Sequence, residues 1–328
     1  HVVSITGAAP HPQFRTALTS VKRVLRERPL RLPKWVGAYR RKRLLASLDN
    51  PHLVFWNRME NSPPHVHATY YEHGAAWMGS VTPEKRAFLA AVDQVIAVSH
   101  AAKAMLQLRW GYDRPIFVIP NPRRPDVPIA SQPRELSGKL RLGFIGRLIP
   151  IKGIPIVVQV LQELKKLGIE AELWVAGTGP DASLLQGVHH TPLVNDVVSW
   201  YDSIDILLVP SIREPLGLIA VEAAARGVPV LASAVDGLPE VVSGICVEPT
   251  LSLQEYIRMG GQVKNLPEVV YNPVTKSLMQ PKILDPSVLA RKVQQITENY
   301  TYYSHQALCR AGEQPTFDQY VLQLKERL

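Results

Sequence analysis

The chain has 328 residues, 46% of them apolar and 20% charged, with a net charge of +9. That is about two domains' worth of chain, long enough to bury a core without staples, and the composition excludes disorder, collagen-like repeats and coiled coil as the main state. No apolar run reaches the ~20 residues of a transmembrane helix, and Cys246 and Cys309 fit neither a metal spacing nor a disulfide framework, which suits a reducing compartment.

Short apolar runs rich in β-branched residues alternate with helical patterns along the chain. In the first half the predicted strands are Val2–Thr6, Leu53–Asn57, Ala68–Glu72, Val95–Ser99 and Ile116–Pro120, with helices over Phe14–Leu25, Pro83–Ala91 and Ala101–Arg109. In the second half the strands are Leu140–Gly146, Ala171–Gly177, Ile206–Pro210, Val228–Ser233 and Ile245–Val247, with helices over Ile156–Leu167, Leu218–Ala225 and Ser287–Asn299. This alternation predicts parallel sheets of the α/β class, and two such blocks predict two doubly wound domains. Five prolines crowd Pro120–Pro133, a stiff extended connection. The expected organisation is a first domain over residues 1–125, a linker over 126–139, a second domain over 140–300 and a helical segment over 301–328 that packs back on the first domain. Residues 249–286 fit no regular element and are expected to be a long surface loop, with an acceptor lid or an oligomer contact as the alternatives.

The charge is uneven. Residues 1–126 hold 19 Lys/Arg against 8 Asp/Glu, whereas residues 127–328 hold 18 against 20. Ten of the basic residues lie in 22–43, including Arg40, Arg41, Lys42 and Arg43, interleaved with Trp35, Tyr39 and several leucines. A basic segment with an apolar face, here residues 22–48, suits an anionic membrane surface or an acidic acceptor, and equally a solvated helix face. Nucleic acid is not expected, because no recognised binding motif accompanies the charge.

The residue types that carry chemistry concentrate in the second block. Arg147 and Lys152 follow the strand Leu140–Gly146, where open α/β sheets bind ligands, and both suit phosphate. The strand Ile206–Pro210 leads into Glu214, Gly217 and the helix Leu218–Ala225, which carries Glu222. A glycine at a helix start lets phosphate approach free N–H groups, and carboxylates accept from sugar hydroxyls. The plainer alternatives are an exposed basic pair, a Glu214 that complements the helix dipole and a Glu222 exposed on its helix. His189 and His190 have no third metal ligand nearby and are expected in a loop. The Gly177-Thr-Gly179 run continues with Pro180 and departs from the dinucleotide fingerprint.

Residues 140–247 resemble the nucleotide-binding domain of glycosyltransferase family 4, retaining enzymes of the GT-B fold. The resemblance rests on Gly146-Arg147-Leu148 with Lys152-Gly153, Val175-Ala-Gly177-Thr-Gly179-Pro180, Val209-Pro-Ser211, Glu214…Glu222, Gly227-Val-Pro-Val and Gly237-Leu-Pro-Glu240, in family order and spacing. Tyr71-Glu-His73-Gly74, Val95-Ile-Ala-Val-Ser99 followed by Lys103, and Val118-Ile-Pro-Asn121 extend it into the first half.

The resemblance implies two facing Rossmann-like domains with a cleft between them. It implies that Arg147, Lys152 and the Gly217 and Leu218 amides hold the diphosphate of a nucleotide-diphosphate sugar, and that Glu222 takes the ribose. Glu214 would contact the transferred sugar and stabilise its oxocarbenium charge, with His73 reaching in from the first domain. Gly7, Gly177, Ser99 and Asn121 would border the donor or the cleft. Transfer with retention needs no dedicated nucleophile when the leaving phosphate takes the acceptor proton. No cofactor is expected, and no metal: the sequence has no Asp-x-Asp motif, the nearest approach being Asp202 and Asp205. The implied acceptor is a glycan or lipid-linked glycan, and the implied setting is bacterial surface-polysaccharide or lipopolysaccharide assembly, in the cytoplasm and peripheral on the inner face of the membrane. An epimerase on the same fold and a non-catalytic nucleotide-sugar or glycan-binding partner are the alternatives. One departure is Gly7-Ala-Ala-Pro10-His11-Pro12, standing where many family members have a Gly-Gly loop.

Overall fold

The computed structural model describes residues 52–61, 64, 67–242 and 244–327. The strand expected at Val2–Thr6, the helix at Phe14–Leu25, Gly7 and the basic segment 22–48 lie outside the described residues.

Two parallel sheets organise the chain. The first contains β1 (Leu53–Trp56), β2 (Ala68–Glu72), β3 (Gln94–Ala97) and β4 (Ile116–Val118) in that order. Its crossovers carry α1 (Pro83–Ala91) and α2 (His100–Leu108). Each helix starts at a hydroxyl cap: Thr82 accepts from Lys85 N–H, and Ser99 accepts from Ala102 N–H.

The second sheet contains β5 (Leu140–Ile145), β6 (Ala171–Ala176), β7 (His189–Thr191), β8 (Ile206–Val209), β9 (Val230–Ser233) and β10 (Ile245–Val247). Their order in space is β10-β9-β8-β5-β6-β7. The strand order therefore reverses between β5 and β8, whose Leu142 pairs with Ile206. Helices α3 (Ile154–Lys166), α4 (Val197–Asp202), α5 (Leu218–Ala225), α6 (Leu238–Val241) and α7 (Leu253–Arg258) follow along the chain. Then come the hairpin β11 (Val270–Asn272) and β12 (Ser277–Met279), and α8 (Pro286–Glu298), α9 (Tyr300–Glu313) and α10 (Phe317–Lys325).

Burial follows the apolar pattern. Every residue of β8 and β9 is buried, as expected of central strands covered on both faces. On one face α3 and α8 pack together, with Leu142, Val160, Leu164 and Val293 in one cluster. On the other, α5 packs on α9. Helix α5 is apolar almost all round and is accordingly buried, Glu222 included at 7% exposure.

Four regions differ from the sequence expectations or complete them. His189 and His190 do not lie in a loop. They form the edge strand β7 beside β6, with the His189 ring stacked on Trp174 at 4.8 Å; a short, exposed strand leaves no apolar period to find. Residues 249–286 are not one long loop. They hold α7, started by a reciprocal Ser252–Glu255 capping box, and the β11–β12 hairpin, which packs on α2 of the first domain. The proline-rich connection lies along α5 and α9, with Val127 buried among Ala224, Ala225, Ala307 and Ala311, and with Ala130 N–H donating to the Ala225 carbonyl at 2.7 Å. Helix α10 returns to the first sheet, where Tyr320 packs beside Tyr71 and the Arg327 guanidinium stands 4.0 Å over the Phe117 ring. Among the described residues no helix is long and apolar enough to cross a membrane.

Candidate active site

The reversal between β5 and β8 opens a crevice at the carboxyl ends of these strands, the place where open α/β sheets receive ligands. The loop after β5 carries Arg147 and, in a 3-10 turn over Pro150–Lys152, Lys152. The loop after β8 carries Arg213 and Glu214. Opposite, the carboxyl end of β2 leads into His73 and Gly74. These residues line one interdomain cleft of about 590 Å³ together with Asn57, Arg58, Lys85 and Trp110. Five cations (Arg58, Lys85, Arg147, Lys152 and Arg213) thus face a single carboxylate, Glu214. A ligand with two or more negative charges suits such a cleft.

Glu214 and Lys152 form an ion pair, their side chains only 12% and 16% exposed. Ser211 Oγ approaches the same carboxylate oxygen at 3.4 Å. The peptide of Glu214 is held from below: its N–H donates to Asp236 Oδ2 at 3.0 Å, and Gly237 N–H donates to its carbonyl at 3.1 Å. Arg147 is exposed on its loop, and that loop is seated on the end of β6, where Gly146 N–H donates to the Ala176 carbonyl and Leu148 N–H to the Thr178 carbonyl. Gly177 permits this contact. Its φ is +135°, and a Cβ there would fall 1.8 Å from the Gly146 carbonyl oxygen.

His73 is packed between Trp56 and Tyr71, with ring centroids 4.7 and 4.1 Å away. Its backbone N–H donates to Asn57 Oδ1 at 3.1 Å, and Asn121 Nδ2 lies 3.4 Å from its Nδ1. An amide donor at Nδ1 assigns the ring proton to Nε2, which is buried with no protein partner. Burial pushes the imidazole down to about 3, so His73 is a neutral donor at physiological pH. The ordinary value of 6.5 belongs to the unfolded chain. The stabilisation from keeping this ring neutral is therefore complete above pH 6.5 and shrinks as pH falls from there towards 3. His73→Gln removes the dependence. The difference in unfolding free energy between wild type and this variant narrows between pH 7.5 and 5 in urea titrations; a constant difference contradicts the buried neutral ring.

The remaining residues singled out in the sequence divide. Gly217 and Leu218 open α5 directly after the Glu214 loop; Ala220 N–H donates to the Gly217 carbonyl at 2.9 Å, whereas the N–H groups of Leu218 and Ile219 precede the first intrahelical acceptor. Glu222 is not exposed on its helix, and it is not on the cleft wall. It is buried on the side of the proline-rich connection, accepts from the Tyr201 hydroxyl at 3.0 Å, and has Arg124 nearby; burial raises its pKa above the usual carboxylate value. Ser99 does not line the cleft either: its hydroxyl caps α2 and donates to the Pro215 carbonyl at 2.6 Å, tying the domains together. Asn121 stands behind His73. Asp202 holds Arg226, and Asp205 holds Arg141, so the acidic pair serves ion pairs within the second domain.

Sequence reasoning missed four participants. Asn57 orders the His73 loop by accepting from the N–H groups of His73 and Ala75. Arg213 reaches across the interface, donating from Nη1 to the Gly74 carbonyl at 3.1 Å; burial lowers its pKa, opposed by Glu214, Asp236 and Glu72. Glu240 caps α2 from the other domain, accepting from His100 and Ala101 N–H at 2.8 Å each. Asp236 is fully buried and accepts from Trp77 Nε1, Tyr271 N–H and Glu214 N–H, and burial pushes it up to about 7. The only local signal for it is an Asp-Gly pair, which marks a turn.

Two family models match this chain: "Glycosyltransferase Family 4" over residues 1–127 and "Glycosyl transferases group 1" over residues 139–258. A D-inositol 3-phosphate glycosyltransferase of Segniliparus rotundus is 32% identical over 127 residues, covering 33% of this chain and 28% of that protein. The aligned stretches span 28–41% of the length of these curated relatives. Among solved structures, a sucrose-phosphate synthase from Thermosynechococcus elongatus superposes with a TM-score of 0.64 at 20% identity, covering 90% of this chain and 77% of that one. WaaG, a glycosyltransferase involved in lipopolysaccharide biosynthesis, superposes with a TM-score of 0.60 at 17% identity, covering 88% and 80%. At these identities the superpositions establish the fold, two facing Rossmann-like domains of the GT-B type.

Proposed function

We propose that this chain, which belongs to family 4 of the glycosyltransferases and has the GT-B fold, moves a sugar from a nucleotide-diphosphate sugar to a glycan or lipid-linked acceptor with retention at the anomeric carbon and without a metal. The observation that carries this is the convergence of Arg147, Lys152 and Glu214 at the switch point of the second sheet, facing His73 from the first.

Each group has a physical task. Arg147, Lys152 and the first-turn amides of α5 stabilise charge that grows on the leaving diphosphate, a task a metal performs elsewhere. Glu214 accepts from hydroxyls of the transferred sugar and offsets its developing positive charge. The Nε2–H of His73, neutral and desolvated, donates to the sugar at the reacting face. The acceptor hydroxyl attacks from the side the diphosphate leaves, the C1–O bond to phosphate breaks, and the departing phosphate oxygen takes the acceptor proton. The test is transfer from a panel of nucleotide sugars with glycan and lipid-linked acceptors, the product's anomeric configuration being read by NMR. Retention is expected. Inversion contradicts the mechanism, and isomerised sugar nucleotide formed without acceptor contradicts transfer.

The surface-glycan setting is supported by the lipopolysaccharide role of WaaG and by the basic segment 22–48, placed here on an anionic inner membrane face. Replacing Arg40, Arg41, Lys42 and Arg43 together with glutamine abolishes co-sedimentation with anionic vesicles; undiminished binding contradicts that placement.

A further inference from the structure

We propose that Asp236 is a positioning residue for Glu214: it fixes the peptide of that carboxylate and ties it to the His73 loop of the opposite domain. The proposal rests on the transferase function inferred above.

The geometry is specific. Asp236 occupies the left-handed region at φ 49°, which Asp and Asn tolerate better than other side chains. This conformation turns its carboxylate inward, where both oxygens are engaged. Oδ2 accepts from Glu214 N–H at 3.0 Å. Oδ1 accepts from Tyr271 N–H at 2.8 Å and from Trp77 Nε1 at 2.8 Å. Trp77 closes the short turn Ala75–Trp77 that follows His73 and Gly74, and Tyr271 belongs to the β11–β12 hairpin braced on α2. One fully buried side chain therefore meets the Glu214 loop, the His73 loop and the hairpin.

The next residue completes a cradle. Gly237 N–H returns a hydrogen bond to the Glu214 carbonyl, and a Cβ at Gly237 would fall 2.1 Å from the Pro215 carbonyl oxygen. Residues 236 and 237 thus grip the Glu214–Leu216 turn on both sides. Lys152 and Ser211 hold the Glu214 carboxylate, whereas Asp236 holds its main chain. Freed from that grip, the carboxylate shifts relative to the sugar, while Arg147 and Lys152, carried by the β5 loop, stay in place. A misplacement of about 1 Å costs on the order of 10²-fold in rate.

Asp236→Asn isolates the contact. Asparagine keeps the left-handed backbone, and its amide oxygen still accepts from Trp77 and Tyr271. Its NH₂ then confronts Glu214 N–H, donor against donor, so one of three bonds is lost. Calorimetry with UDP, GDP, ADP and TDP, each alone, and turnover with the nucleotide sugar used by wild type are measured on both proteins. The expected result is kcat lower by about 10–100-fold, with the nucleoside diphosphate Kd within about threefold and KM for the donor likewise. Asp236→Gly, which also fits the backbone but loses all three bonds, lowers kcat at least as far. Unchanged kcat in Asp236→Asn overturns the proposal while leaving the transferase function standing. Parallel losses in kcat and Kd also overturn it, since they mark a merely structural role. Absence of turnover in wild type overturns the function and the proposal with it.

Discussion

Glu214→Gln lowers glycosyl transfer by about 10²–10³-fold, the loss typical of removing one electrostatic contact to a transition state, and leaves nucleoside diphosphate binding intact or tighter. The two effects have one cause. Glutamine keeps the shape of the side chain and its carbonyl oxygen for a sugar hydroxyl, but it removes the negative charge that offsets an oxocarbenium ion. It also releases Lys152 from its ion pair. Four other cations line the same cleft, so the ammonium gains freedom to meet the diphosphate in a field that becomes more positive. Turnover and calorimetry on one preparation check both halves. Unchanged turnover, or a diphosphate affinity that falls with the rate, contradicts the role assigned to Glu214.

Gly177→Ala is the second large effect, and it acts on stability. An alanine there is strained by φ +135°, and its Cβ meets the Gly146 carbonyl oxygen at 1.8 Å, a backbone atom that cannot swing aside as a flexible side chain would. Strain and overpacking together cost roughly 3–5 kcal/mol, a large fraction of the ~5–15 kcal/mol of a typical domain. The shift falls on the Gly146–Arg147 loop, so diphosphate affinity declines as well. Gly187→Ala is the control, because Gly187 also has positive φ, at +71°, but a Cβ there meets open space. Denaturation midpoints separate the cases: a small loss at Gly187 and a large one at Gly177. Equal losses contradict the close approach of the two loops.

Much of this was legible in the chain itself. The central strands are continuous apolar runs, and their alternation with helices implies parallel sheets. Arg147, Lys152 and Glu214 follow strands that turn out to be neighbours, β5 and β8, so the switch point brings them together. What escaped notice is held by backbone geometry and tertiary contact rather than by periodicity. The strand β7 is short and exposed; Asp236 acts through a left-handed turn; Arg213 finds its acceptor across the interface. The hairpin over Val270–Met279 pairs with itself and acquires its purpose only by resting on α2. Glu222 has an exposed-helix alternative in sequence, and only the packing of α5 beneath α9 settles that it is buried.

The most direct test of the donor site is calorimetry with UDP, GDP, ADP and TDP on wild type and on the Arg147→Ala/Lys152→Ala double variant. Binding of one nucleotide at micromolar Kd, lost in the double variant, is the predicted result. No binding of any of the four by wild type, or equal binding by the double variant, contradicts a diphosphate held between the β5 loop and the start of α5.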